Sequence, residues 1–122
     1  MPVATNFATP DLLIRHFGRH CNDFAVTSEA EYLERARNFA NIPIEAGGEI
    51  EELQRTRGVV LTDEWVRYNK ATNELCVTKT DGTICTYFKP VMMSAAPSGT
   101  PRDKMHKSSS NYQYFLDTCK LP

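Results

Sequence analysis

Between Leu75 and Phe88 two runs rich in β-branched and aromatic residues are separated by Asp81-Gly82, and no other stretch restricts the fold as strongly. A two-residue hairpin loop of type I′ needs positive φ at both central positions, and Asp-Gly is among the few dipeptides that tolerate it. That loop sets a register in which Thr80 faces Thr83, Val77 faces Thr86 and Leu75 faces Phe88. Extended back through Trp65-Val66-Arg67-Tyr68 and forward to Pro90, the segment reads as a three-strand antiparallel meander over 64–90, with the turn formers of 69–73 joining its first two strands. In this register Thr86 turns toward Val77, Ile84 and Phe88, which buries its hydroxyl unless a bulge near Cys85 resets the strand.

Two helices precede the meander. Thr9-Pro10-Asp11 supplies an N-cap, a proline at N1 and a first-turn acid. The helix that follows has Leu13, Phe17 and His20 on one stripe and Leu12 and His16 on another, and is expected to stop near Cys21-Asn22, where an extended link begins at Phe24. Thr27-Ser28 with Glu31 is a capping box. The helix it opens turns Tyr32, Leu33, Ala36, Phe39 and Ala40 inward and ends before Ile42-Pro43.

The remaining segments are read as follows. Residues 1–8 are a frayed leader, 49–54 a short exposed helical turn, and Val59-Val60-Leu61 a strand closed by a turn at Thr62-Asp63. Residues 94–110, rich in Ser, Pro, Gly and basic residues, form a mobile loop. Residues 111–119 are a last strand or a short helix, the alternation of Tyr112 and Tyr114 favouring the strand. The expectation is one α+β domain over 1–122, with N-terminal helices packed on a four-stranded, mainly antiparallel sheet.

Charge and cysteine content narrow the chemistry. The net charge of −1 argues against an obvious electrostatic nucleic-acid footprint without forbidding one. Cutting after Arg57 leaves 6 − 9 = −3 before the cut and 8 − 6 = +2 after it, so the positive excess lies with the meander and the tail. Cys21, Cys76, Cys85 and Cys119 lack C-x-x-C or Cys/His spacing and read as free thiols, a Cys76–Cys85 disulfide requiring help from the backbone. No apolar run approaches the roughly 18 residues of a membrane span, and the first residues lack the basic and apolar regions of a signal peptide.

His16-x3-His20-x3-Phe24, Tyr32-Leu33-x2-Ala36-x2-Phe39, Arg67-Tyr68-x3-Thr72-Asn73-Glu74, the run Asp81 to Pro90, and Tyr114-Phe115 together resemble the C-terminal nuclease modules of bacterial polymorphic and contact-dependent inhibition toxins, which also end some phage head-morphogenesis proteins. These modules are similar to the barnase/EndoU/colicin/RelE superfamily, in which helices precede a four-stranded antiparallel sheet. The resemblance implies RNA cleavage, transfer RNA being one candidate substrate, without metal or cofactor. It also implies a cognate immunity protein and action in the cytoplasm of a target bacterium, after delivery as the C-terminal part of a larger secreted protein. Neither DNA nor a membrane is expected as a partner. The chain departs from the pattern at Cys21, where a glycine is expected, and at Cys85, where a cation is.

The chemistry can be stated without the family. Internal attack of a 2′-OH on its phosphodiester needs a base, an acid for the leaving 5′-oxygen, and cationic or hydroxyl donors for the charge that develops on the phosphoryl oxygens. His20 suits the base or acid role, since histidine titrates near neutral pH. Arg67 suits bidentate phosphate contact, Thr86 a hydroxyl donor and Lys89 a point charge. Tyr114 suits stacking on a base or donation to phosphate. Ordinary structural roles compete: His16 as a packing or capping residue, His106 as a solvated loop residue, Trp65 in packing, Arg67 in an ion pair, Thr86 in the core, Lys89 at a strand end and Tyr114 with Phe115 in the core. Two further readings use the same scaffold, an RNA- or protein-binding module that does not cut and a virion-associated interaction domain.

Overall fold

The computed structural model describes residues 3–122. In chain order the elements are β1 (Asn6–Phe7), α1 (Pro10–Phe24), α2 (Glu29–Asn41), β2 (Ile50–Arg57), β3 (Val60–Asn69), β4 (Glu74–Lys79), β5 (Thr83–Phe88), β6 (Val91–Met92), β7 (Met105–His106), α3 (Asn111–Thr118) and β8 (Lys120–Leu121), with 3-10 turns at Met93–Ala95 and Arg102–Lys104. The fold is α+β. Four antiparallel strands, β2 to β5, form the body of a six-stranded sheet ordered β1-β5-β4-β3-β2-β8, whose two outer strands pair in parallel. The sheet therefore has two strands more than expected. Both extra strands are two residues long, and they cover part of the backbone edges that β5 and β2 would otherwise expose.

Both helix starts follow from their caps. Thr9 Oγ1 accepts from the Leu12 amide at 3.2 Å, and Ser28 Oγ accepts from Glu31 at 3.2 Å. Helix α1 runs past its expected stop and ends only at Ala25, which adopts a left-handed φ of 53°. The extra turn seats Phe24 in the core, flat against Tyr87 with ring centroids 4.1 Å apart. Tyr32 of α2 donates its hydroxyl to the Tyr87 carbonyl, tying that helix to β5.

The hairpin at Asp81-Gly82 forms with a different turn. Gly82 has φ 93° but Asp81 is not in the positive region, so the loop is not type I′. Instead the Gly82 amide donates to the Lys79 carbonyl at 2.9 Å, and Thr80, Asp81 and Gly82 make a three-residue loop. Thr80 and Thr83 consequently do not pair, and Thr78 faces Ile84. One extra residue, Cys85, then bulges out, and beyond it Val77 faces Thr86 and Leu75 faces Phe88 as the sequence predicts. The bulge changes which residues share a face. Ile84 and Tyr87 both pack under α1 and α2, while Thr86 and Phe88 lie on the opposite side with Val77. It also separates Cys76 from Cys85, which belong to opposite faces; all four cysteines are free thiols.

Three further expectations are corrected. Residues 3–8 are not frayed: Ala4 and Phe7 are buried, and Ala4 exchanges hydrogen bonds with the Asn41 side chain at 2.9 and 3.0 Å. Met1 and Pro2, the rest of that leader, lie outside the described residues. The charged run at 49–54 is the start of strand β2, because Glu52 faces inward to meet Arg67. Strand β3 passes straight through Thr62-Asp63; the chain turns earlier, at Gly58, whose φ is 60°.

Helix α3, where a strand was favoured, packs Phe115 onto the face opposite α1 and α2, with Val66, Tyr68 and Leu75. The sheet is thus sandwiched between two apolar clusters. Residues 94–110 carry their own structure, since β6 and β7 pair in parallel and His106 is buried. No helix among the described residues is long and apolar enough to cross a membrane.

Two glycine substitutions separate strain from crowding. A Cβ on Gly82 would lie 2.5 Å from the Val3 carbonyl oxygen, whereas one on Gly58 meets nothing within 4 Å. Gly58→Ala carries only the left-handed penalty, about 1 kcal/mol. Gly82→Ala adds displacement of the segment before β1 and is expected to cost about 2–3 kcal/mol in urea unfolding. Equal losses would show that the contact of residues 3–5 with the hairpin does not constrain Gly82.

Candidate active site

His20 sits in the last turns of α1 with 0% of its surface exposed. Its ring lies against Phe88 at 5.3 Å, and His16 lies 6.0 Å away on the same helix. The one polar partner of the imidazole is a carboxylate: Nε2 donates to Asp103 Oδ2 at 3.1 Å, while Nδ1 is buried with no partner. The same Asp103 oxygen lies 3.4 Å from Arg19 Nη1. Burial lowers the pKa of His20 below 6.5, against the upward pull of Asp103 and Asp23. Burial also takes His16 down to about 4, helped by His20 and Arg19.

Asp103 belongs to the 3-10 turn Arg102–Lys104, so residues expected to be a mobile loop form the roof over His20. The neighbouring Lys104 makes an ion pair with Asp23, whose other oxygen accepts from the Lys89 amide at 3.0 Å. Two contacts, one to each half of the carboxylate, thus fasten the segment after β5 to the end of α1. His106, expected to be solvated, is instead held beneath this segment. Its Nε2 lies 2.6 Å from Asn111 Oδ1, and its Nδ1 accepts from the Ser108 amide at 3.2 Å, so the ring is the neutral Nε2–H tautomer.

Tyr114 stacks on His106 with centroids 4.5 Å apart and is half-buried, its hydroxyl pKa raised by burial. Thr86 is half-buried on the same face of the sheet, with no side-chain hydrogen bond among the described residues. Next to it the Cys85 thiol lies 3.9 Å from Glu64 Oε2, and burial followed by that carboxylate pushes its pKa up to about 11. Glu64 pairs with Arg55 at 3.0 Å, and Arg55 donates to the Thr118 carbonyl at the end of α3. Phe88 connects the groups, touching the His20 ring and sharing an apolar cluster with Cys85 and Tyr114. Phe88 thus links His20, at the end of α1, to the opposite face of β5, which carries Thr86 and packs against Tyr114 of α3.

Arg67 and Lys89 stand apart from these groups. Arg67 is 1% exposed on the helix-facing side of β3. Its guanidinium pairs with Glu52 at 2.9 Å and donates to the Phe39 and Ile42 carbonyls at 2.8 and 2.6 Å. A phosphate cannot reach a group so placed, and the ion-pair reading of Arg67 describes it. Lys89 follows the end of β5 with its ammonium 5.7 Å from the centre of the Phe24 ring.

Asp103, Lys104 and Arg19 are the residues that sequence reasoning missed. Asp103 is the one acid among Arg102, Lys104 and Lys107, and that isolation is the only local hint of a role. Among the described residues no three His, Cys, Asp or Glu side chains are grouped to hold a metal ion.

Arg67→Ala leaves Glu52 buried without its counter-charge and is expected to destabilise the fold by about 3–5 kcal/mol in urea. Adding Glu52→Leu to Arg67→Met should restore most of that loss; a single variant of wild-type stability would return Arg67 to the candidate functional groups. The histidines set a pH dependence. Because folding lowers both imidazole pKa values, the unfolded chain binds more protons, so stability falls as pH drops below 6.5, the His16 share being complete near pH 4. Thermal melts should show the loss across that window, on the order of 2 kcal/mol, and His16→Gln should flatten it. No protein-family model matches the chain, and no curated protein matches it in sequence.

Proposed function

We propose that the domain is a metal-independent ribonuclease, with His20 as the acid or base that acts on the 2′-OH or the 5′-oxygen. The observation that carries this reading is the Asp103 carboxylate, an anion held between the His20 imidazole and the Arg19 guanidinium. A site that holds one carboxylate oxygen in this way can hold a phosphoryl oxygen of RNA in its place. With the segment around Asp103 withdrawn, Nε2 of His20 faces the substrate.

The reaction then needs nothing beyond the chain and the RNA. The 2′-oxygen bonds to phosphorus and the bond from phosphorus to the 5′-oxygen breaks. One proton leaves the 2′-OH and another reaches the 5′-oxygen, giving a 2′,3′-cyclic phosphate. Thr86 and Tyr114 supply hydroxyls on the adjoining face, and Lys104 and Lys89 supply charge from the rim. The reading carries with it the rest of the toxin interpretation, including transfer RNA among the substrates, a cognate immunity protein, and cytoplasmic action after delivery within a larger secreted protein.

The complete burial of His20 and Arg67 favours a second reading, a module that binds RNA or protein without cutting. One assay separates them. Purified domain is incubated with total RNA in the presence of chelator, beside His20→Gln and Thr86→Val variants whose folding is verified by thermal melting. The nuclease reading expects cyclic-phosphate ends from the parent and a loss of about 10²- to 10⁴-fold for His20→Gln. Intact RNA with the parent, or undiminished cutting by a folded His20→Gln protein, transfers the assignment to the binding module.

A further inference from the structure

The segment that roofs His20 has two faces. Asp103 and Lys104 point to α1, where they bond His20, Arg19 and Asp23. Arg102 and Lys107 are exposed, and their side chains have no ion-pair or hydrogen-bond partner among the described residues. With Met93 and Met105 they line a cavity of about 530 Å³, within the ~300–1,000 Å³ range of small-ligand sites. Among the described residues no carboxylate lines it.

The cavity is built by backbone pairing. Strands β6 and β7 run parallel, with Val91 opposite Met105 and Met92 opposite His106, which brings Met93 beside residues more distant in sequence. The segment that carries Arg102, Met105 and Lys107 is fastened at neighbouring residues, through His106 stacked on Tyr114 and through Lys104 paired with Asp23. Arg102 is adjacent in the chain to Asp103, their Cα atoms about 3.8 Å apart, so one cation of the cavity lies one residue from the carboxylate on His20.

We infer that the cavity formed by Met93, Arg102, Met105 and Lys107 binds one nucleotide of single-stranded RNA next to the scissile phosphate. The deduction rests on the ribonuclease reading for its place beside the reaction, but its ligand chemistry is set by the lining alone. Two unpartnered cations take the phosphodiester, and two polarisable thioethers take the flat face of a base. Thioethers present no hydrogen-bond pattern to base edges, so the subsite accepts every base. It holds the flanking nucleotide and leaves the choice of cleaved bond to the His20 region.

An uncleavable probe tests the subsite whether or not the protein cuts RNA. Binding of a 2′-O-methyl pentanucleotide is followed by fluorescence anisotropy over a salt series, for the parent, Arg102→Gln/Lys107→Gln, Met93→Ala/Met105→Ala and a charge-matched Arg57→Gln/Lys120→Gln control. Removing the two cations should weaken binding roughly tenfold at low salt and reduce the slope of log K against log salt by about 0.7, the share of one phosphate contact in a single strand. The methionine pair should weaken binding with the slope unchanged. A parent that binds in this way yet leaves unmodified RNA intact discards the nuclease reading and keeps the subsite. Three results overturn the subsite: no binding by the parent, equal effects in the Arg102/Lys107 and control proteins, or a mononucleotide binding as tightly as the pentanucleotide, which would assign the cavity to free nucleotides.

Discussion

A guanidinium buried beneath the end of a helix holds this fold in register. The end of α2 is short of donors: within the backbone the Phe39 carbonyl accepts only from the capping amide of Ile42, at 3.3 Å, and Arg67 donates from the middle of the sheet both to it and to the Ile42 carbonyl just past the helix. The negative end of the helix dipole favours the same placement. Glu52 on the adjacent strand balances the charge, so one cluster fixes β2 against β3 and both against α2. Removing this charge from water is costly, and the cost is not fully offset, since Arg67 Nη2 and Glu52 Oε1 remain without partners. What the cluster contributes is position. With α2 fixed, Tyr32 reaches the Tyr87 carbonyl, Phe24 closes over Tyr87, and the end of α1 that carries His20 is placed over the end of β5.

The same cluster explains where sequence patterns misled. In β2 the inward position is Glu52 while Leu53 is 41% exposed, the inverse of the usual alternation. A buried charge pair makes a strand look like a solvated helical run, because each member's partner lies on a different strand. Signals confined to a few neighbouring residues were legible: the Thr9 and Ser28 caps, the apolar face of α2, and the pairing of Val77 with Thr86 and Leu75 with Phe88. The turn itself was not. Asp-Gly fits a two-residue loop and a three-residue loop ending in a left-handed glycine equally well, and the bulge at Cys85 compensates for the difference within five residues.

The candidate site was half legible for a related reason. Histidine on a helical stripe and tyrosine beside phenylalanine can be read locally, but the partner of His20 lies 83 residues away in a segment without periodicity. Nothing local to Asp103 tells an anchoring carboxylate from a solvated one. Arg67 failed as a site residue because the sequence gives its chemistry, a bidentate cation, without giving its direction. On β3 that direction is set by which strand face the helices cover.

His20 shows how closely protonation and geometry are joined here. Burial depresses its pKa, while Asp103 and Asp23 oppose that by favouring the charged ring. Both influences come from the closed arrangement, because the turn that carries Asp103 also roofs the imidazole. Withdrawing that turn would admit water and remove the closest carboxylate in one movement, so the opposing contributions would fade together and the ring would return toward 6.5. On the proposed ribonuclease reading, that return would favour proton transfer near neutral pH once the turn is withdrawn. The turn is held to the end of α1 by three short-range contacts, Asp103 with His20 and with Arg19, and Lys104 with Asp23. On the same proposed reading, an RNA phosphate competes with Asp103 for Arg19 and His20 and leaves the Lys104–Asp23 pair intact, so opening begins at Asp103 while Lys104 still anchors the segment to α1.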